Sequence, residues 1–498
     1  MTRHTAGPEP GHVGSKVREP VTRYRPAERY RAILRRRTAD ERGRLAHIKR
    51  LLERHRADPR FRAELAASGA DQRRVAAAYG VTIDLREVLP LIDGNYARDR
   101  DTVGGDRWPA VGAWDAYLSD LRQLPAAFRE AGNCPDTNPR FDAWRERQIR
   151  RTQSELGALS GHILHPILAF ELSAGCSVGC WFCGVSAGKF RSNFTYTRGN
   201  ARLWRALLEQ ATELFGGAAQ TGFCYWASDP SDNPDYTKFI EDYHLVTGAL
   251  PQTTTAAPLK DLALTRRIMQ LHDEHGCMPN RFSILNLKAL DRVHATFTPE
   301  ELLGVDLVLQ NREAMVPKAF AGRARRDGNK YRAQGNAGSG QVDGATIACV
   351  SGFLVNMVER TIRLISPTRT GESSPLGYRT FGGGDFKTAL EFRRTIEDLI
   401  AQHMPATVAG APRLSFRDDL VYRREPDGFT LQSPGGRVAL SGFEGAGLLG
   451  DILSRGDSCA GDLQAELASA GLDIFVVAEI LQQLFDRGLI AEVSGAVR

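Results

Sequence analysis

Pro166-Ile167-Leu168-Ala169-Phe170-Glu171-Leu172 is followed, three residues on, by Cys176-Ser177-Val178-Gly179-Cys180-Trp181-Phe182-Cys183. The first stretch is a short apolar run of the kind that forms a buried parallel strand. The second sets three thiols at a three-then-two spacing. Three thiolates so placed can hold three irons of a [4Fe–4S] cube and leave the fourth iron open to a small molecule. With 8 cysteines in 498 residues, an accidental match is expected about 0.002 times. Zinc is the rival ligand, but structural zinc is four-coordinate. No Cys or His follows until Cys224, and the upstream candidates reduce to His162 and His165.

Beyond the cysteines, Leu203, Leu207, Leu208, Ala211 and Leu214 mark one face of a helix. Strand, ligand loop and helix form the opening unit of a β/α barrel, whose chemistry lies at the C-terminal ends of the strands. Further strands are expected at 221–227, 251–256, 281–286, 305–310 and 346–355, with helices at 234–246 and 261–274 between them. The fold expected is therefore α/β, a partial (β/α)6 barrel over 161–405. The stretch 318–345, with Arg323, Arg325, Arg326 and six glycines, breaks the rhythm and reads as a substrate-contacting flap.

Upstream, 1–25 is rich in Gly, Pro and charge and is expected to be disordered. A helical region over 26–160 follows. Leu45, Ile48, Leu51 and Leu52 form its apolar stripe, and Asp58-Pro59 reads as an N-cap with a first-turn proline. Downstream, 412–498 reads as short strands around Asp427-Gly428, then helices at 444–455, 459–470 and 474–486. That pattern resembles the winged-helix-like recognition element of enzymes that modify ribosomally made peptides, which takes a leader peptide as an added strand.

Composition narrows the setting. Hydrophobic residues make up 42% of the chain, enough for ordinary cores, and no apolar run reaches membrane-spanning length. The polar N-terminus has no signal core, and the scattered cysteines are not a disulfide framework, so a cytoplasmic location is expected. The net charge of +6 is mild. The dense N-terminal arginines read as a solvated helix face, and no nucleic-acid partner is expected.

The cysteine run, with Phe182 before its last thiol, resembles the signature of radical S-adenosylmethionine enzymes. The resemblance implies a [4Fe–4S] cluster on Cys176, Cys180 and Cys183 with S-adenosyl-L-methionine on the open iron. The cofactor's polar groups are then held at successive strand ends. By position the candidates are Phe182, Ser228, Asp229, Ser283, Asn286, Gln310 and Asn311. The usual glycine-glycine-glutamate motif is absent, which leaves Ser228 and Asp229 to meet the amino group. Phe170-Glu171-Leu172-Ser173-Ala174-Gly175-Cys176, Ser228-Asp229-Pro230-Ser231-Asp232-Asn233-Pro234-Asp235-Tyr236, Pro251-Gln252-Thr253-Thr254-Thr255-Ala256 and Cys349-Val350-Ser351-Gly352-Phe353-Leu354-Val355-Asn356-Met357 together resemble radical-SAM peptide epimerases of the proteusin (polytheonamide) type.

That family resemblance implies conversion of L- to D-residues in a precursor peptide with a leader, driven by a flavodoxin- or ferredoxin-type electron donor. Hydrogen is taken from a Cα and must be returned to the opposite face, for which a thiol outside the cluster motif is a good donor. Cys134, Cys224, Cys277, Cys349 and Cys459 are available, and Cys349, read as lying on the sixth strand across from the first, is favoured. The tail's single cysteine, Cys459, argues against the auxiliary clusters of crosslinking maturases. Another peptide maturase, or a cluster-bearing leader- or DNA-binding regulator, remains the alternative.

Overall fold

The computed structural model describes residues 25–96, 107–326, 341–408 and 413–492. The expected disorder of 1–25 therefore falls almost wholly outside the described residues, as does 327–340 at the centre of the expected flap. The N-terminal region is helical. Thr38 and Glu41 form a reciprocal capping box at the head of the helix Ala39–Ala57. Asp58 then caps Pro59–Ala67, whose first residue is the proline read from the sequence. Leu45, Ile48, Leu51 and Leu52 pack with Phe61, Leu65 and Trp114 in one core. Arg36 and Arg37 both pair with Asp120, and Arg74 pairs with Asp71.

The central region alternates strand and helix. Strand β1 (Leu168–Glu171) is wholly buried and precedes the cysteine loop. Strands β2 (Thr254–Thr255), β3 (Asn280–Ile284) and β4 (Val305–Leu309) form a parallel sheet in that order. The helices Arg198–Phe215, Tyr236–Thr247, Leu262–His275 and Leu287–Thr296 intervene.

Two expectations are corrected here. The segment 221–227 makes only one bridge to β1, at Phe223. Past the bridge no ladder continues, and the Glu171 side chain takes the Ala227 N–H at 3.0 Å. Strand β5 (Gly352–Asn356) does not follow β4. It pairs directly and in parallel with β1, Leu168 beside Phe353. The sheet then runs on antiparallel through β6 (Thr361–Pro367) and β7 (Tyr378–Asp385), which the sequence reading did not anticipate. The six expected strands are thus shared between two sheets, and Cys349 lies three residues ahead of β5 rather than on it. The segment after Phe223 stitches the sheets together. Tyr225 donates to Gln252 at 2.6 Å and accepts from Thr254 at 2.9 Å.

The tail holds β8 (Val421–Glu425), β9 (Gly428–Ser433) and β10 (Gly436–Ser441), an antiparallel sheet with β9 central. Its first turn centres on Pro426-Asp427, since Glu425 pairs with Gly428. Helices Ala446–Arg455, Ala460–Ser469 and Ile474–Asp486 complete it around Phe429, Leu449, Leu463 and Leu481. The tail seats on the helix Pro139–Leu156. Arg147 and Gln148 hold Glu492 at 2.9 and 2.6 Å, and Arg417 reaches Ser154 at 3.0 Å. Beneath them the buried Glu155 accepts from Arg151 (2.8 Å) and Thr368 (2.6 Å), also buried, and from the half-buried Arg379 (2.8 Å).

Candidate functional site

The cysteine loop leaves the C-terminal end of β1 through Gly175, whose positive φ brings it against the Lys189 carbonyl, where a side chain has no room. Cys176 N–H donates to Gly188 at 3.0 Å, and the Cys183 sulfur accepts from Ala187 N–H at 3.2 Å. The three thiols are half-buried on this one loop. Burial pushes Cys176 up to about 11, and burial together with the other two thiols pushes Cys180 to about 12.

Three side chains from elsewhere grip the loop. Asp232 takes the Ser177 N–H at 2.9 Å and its hydroxyl, while Lys260 Nζ reaches Asp232 at 2.6 Å and Ser177 at 3.0 Å. On the other side Arg323 donates to the carbonyls of Cys180 (2.7 Å) and Ala187 (2.6 Å). So the described end of the expected flap lies on the cysteine loop.

Among the described residues, no group of three or more Cys, His, Asp or Glu converges on a point that a single metal ion would occupy. An iron–sulfur cube asks for something different, since each thiolate takes its own iron. The donor set fits that demand: three soft thiols on one loop, and a buried Trp181 indole N–H with no hydrogen-bond partner among the described residues. Phe182 stands edge-on to Trp181, ring centroids 5.7 Å apart.

The remaining candidates sort by strand parity. On β3 the half-exposed residues are Arg281 and Ser283, and on β4 Asp306 and Val308 occupy the matching positions. Gln310 continues that parity and is half-exposed. Asn311 points the other way, fully buried, and donates to the Ala57 carbonyl at 3.0 Å. Asn286 caps the helix Leu287–Thr296, accepting from Ala289 N–H at 2.8 Å. Asp229 is buried and accepts from Thr255 (2.8 Å), Ala256 N–H (2.7 Å) and Ser231 N–H (2.9 Å). Asp229, Asn286 and Asn311 thus each make hydrogen bonds within the protein. Ser228 and Ser283 stay half-exposed. Ser283 lines a cleft of about 260 Å³ with Ala256, Lys260, Ala289 and Arg292, at the C-terminal ends of β2 and β3.

A relative fixes the family. Over 466 residues the chain is 43% identical to the uncharacterized protein y4wI of Sinorhizobium fredii, spanning 93% of this chain and 91% of that protein. The chain belongs to the y4wI family. No family model matches it. The crystal structure of BtrN in complex with AdoMet and 2-DOIA aligns with 29% of the chain and 56% of its own length, at TM-score 0.22 and 17% identity, a likeness that carries no argument. Among the described residues of this y4wI-family chain, no helix is long and apolar enough to cross a membrane.

The other cysteines separate by the core they join. Cys134, Cys224 and Cys277 lie in the core between sheet and helices, and Cys459 caps a tail helix. Cys349 alone packs on the inner cluster of Ala169, Phe223, Leu354 and Ile365, beside Tyr225, Trp226 and Tyr378. Burial pushes its thiol up to about 11, against a smaller pull from Arg281. Glu171, which the sequence reading passed over, is buried at the head of the loop. It accepts from Ala227 N–H (3.0 Å) and Asn356 (2.9 Å), and burial raises its pKa. Its signal was the single acid in an otherwise apolar strand.

Proposed function

We propose that this chain is a radical S-adenosylmethionine enzyme that converts L-residues to D-residues in a ribosomally made precursor peptide. The observation that carries the reading is the trio of half-buried free thiols on one loop at the C-terminal end of β1, gripped from outside through its backbone and Ser177. Cys176, Cys180 and Cys183 would hold the [4Fe–4S] cluster. Phe182, Ser228, Ser283 and Gln310 are the groups left to meet S-adenosylmethionine. When bound, the two supply the radical that takes hydrogen from a peptide Cα.

Cys349 is the proposed hydrogen donor. A hydrogen-atom donor must be a thiol rather than a thiolate, and a pKa near 11 keeps the proton on sulfur at neutral pH. Giving the hydrogen to the substrate carbon forms a C–H bond and leaves a sulfur radical. The reductive partner, of flavodoxin or ferredoxin type, returns an electron, and solvent returns the proton. The tail is proposed to read the leader. Its edge strands β8 and β10 are open to an added strand, and Phe475 (79% exposed) stands with Ile474 and Val476 at the head of the last helix as apolar anchors.

The test is cleavage of S-adenosylmethionine by anaerobically reconstituted, reduced protein. Wild type should carry about four irons per chain and release 5′-deoxyadenosine, and Cys176→Ala should do neither. With a precursor peptide in deuterated water, wild type should add one deuterium per D-residue. Cys349→Ala should keep cofactor cleavage and lose D-residue formation, while unlabelled D-residues or normal yield from Cys349→Ala would end its donor role.

A further inference from the structure

The cysteine loop is held at its two ends by grips of opposite character. At Ser177 the grip is a neutral pair, Asp232 with Lys260. At Cys180–Ala187 it is Arg323 alone. The Arg323 guanidinium bridges two carbonyls of the loop, Cys180 at 2.7 Å and Ala187 at 2.6 Å, and its own N–H donates to the Cys183 carbonyl at 2.8 Å. No carboxylate pairs with it among the described residues. The approach is enforced by Gly322, at φ +52°, whose missing side chain lets it lie against the carbonyls of Cys183 and Gly184. Gly184 in turn is covered by Ile347 and Ala321. Two of the loop's carbonyls thus meet one half-buried cation, and a third meets the backbone N–H of the same residue.

We infer that Arg323 is the residue that positions the cysteine loop and sets the reduction potential of what the loop binds. The second half rests on the cluster reading above. Arginine is protonated at any working pH, so the loop carries a fixed positive charge bonded to the peptide of one ligand and to the residue four beyond another. Reducing a thiolate-bound cluster adds negative charge, and a nearby fixed cation favours the reduced form. The fork of the guanidinium matters as well as its charge. Lysine keeps the charge but is a point donor without the planar fork.

Arg323→Gln and Arg323→Lys in the full chain separate the two roles. Loss of the bridging bonds should speed hydrogen exchange of the loop peptide 176–187 at least about tenfold in both metal-free variants, with the thermal unfolding of the remainder unchanged. In the reconstituted proteins, the midpoint potential read by titration should move to more negative values in Arg323→Gln and stay near wild type in Arg323→Lys. Wild-type exchange in both variants overturns the positioning role. An unmoved midpoint in Arg323→Gln with full iron content overturns the charge role. Wild type that takes up no iron overturns the cluster reading and with it the potential, while the exchange measurement still decides the grip.

Discussion

The junction between the tail and the helix Pro139–Leu156 is dense in ionisable groups, and so is the cysteine loop, yet the two use them in opposite ways. At the junction Arg147, Arg151, Glu155 and Arg417 are all buried, and each spends its side chain on another protein group. At the loop, partners from outside grip backbone carbonyls, N–H groups and one hydroxyl, while the thiols make no bond to those partners and the Trp181 N–H has none among the described residues. Polar groups spent almost wholly on one another, with one Arg147 nitrogen left without a hydrogen bond beside the Phe485 ring, mark a region built for stability. Leftover groups in a held loop mark a region built to receive something.

The largest effect should come from breaking the closed side. Glu155→Leu strands Arg151 and Arg379 without their carboxylate and should lower stability by about 3–5 kcal/mol, read by urea unfolding. A gentler probe is acid. The guanidinium groups of Arg151 and Arg379 overcome burial and hold Glu155 down at about 2, against an ordinary 4.5. A depressed folded pKa contributes stability that is complete above the unfolded value. That contribution, at most about 3 kcal/mol, drains as pH falls from 4.5 toward 2, and Glu155→Gln should flatten this part of the pH profile.

On the open side the expected effects are smaller and local. Asp232→Asn removes the charge that Lys260 answers and weakens the hold on Ser177. Iron retention against a chelator should drop about tenfold with little change in global stability. If Asp232→Asn instead destabilises the whole chain as Glu155→Leu does, the distinction between the two regions fails. Smallest of all, Phe475→Ser should change stability by under about 0.5 kcal/mol. It should still weaken binding of a labelled leader peptide, and unchanged affinity would remove the recognition role proposed for the tail.

What could be read from the sequence follows what is local. The β1 run, the cysteine spacing, the Asp58-Pro59 cap and the three tail helices each depend on neighbours in the chain, and each is where the pattern put it. Residue type without parity misled at Asn311, one position past Gln310 and therefore facing the N-terminal helices. Asp229 had a local signal that was read as a ligand. An Asp before Pro230 is a cap, and it caps the short turn Pro230–Asp232. Arg323 sat in a stretch with little apolar content and no periodicity, and its partner lies some 140 residues away. The helix Pro139–Leu156 buries several charges, and their partners lie far off in sequence: Ser366 and Pro367 for Arg151, Glu492 of the tail for Arg147 and Gln148.

The pairing of β1 with β5 carries a consequence for how the chain is made. Leu168 and Phe353 are neighbours in space and about 185 residues apart in sequence. At roughly 5–20 residues per second, a ribosome needs about 10–40 s to travel from one to the other. Through that interval the first strand has no partner on that side, and the thiols that follow it have emerged before the segment that carries Arg323. Long-range closure of this kind is slow as well as late. Loading of the proposed cluster would therefore belong to the finished chain, since the loop passes through synthesis before Arg323 is there to hold it.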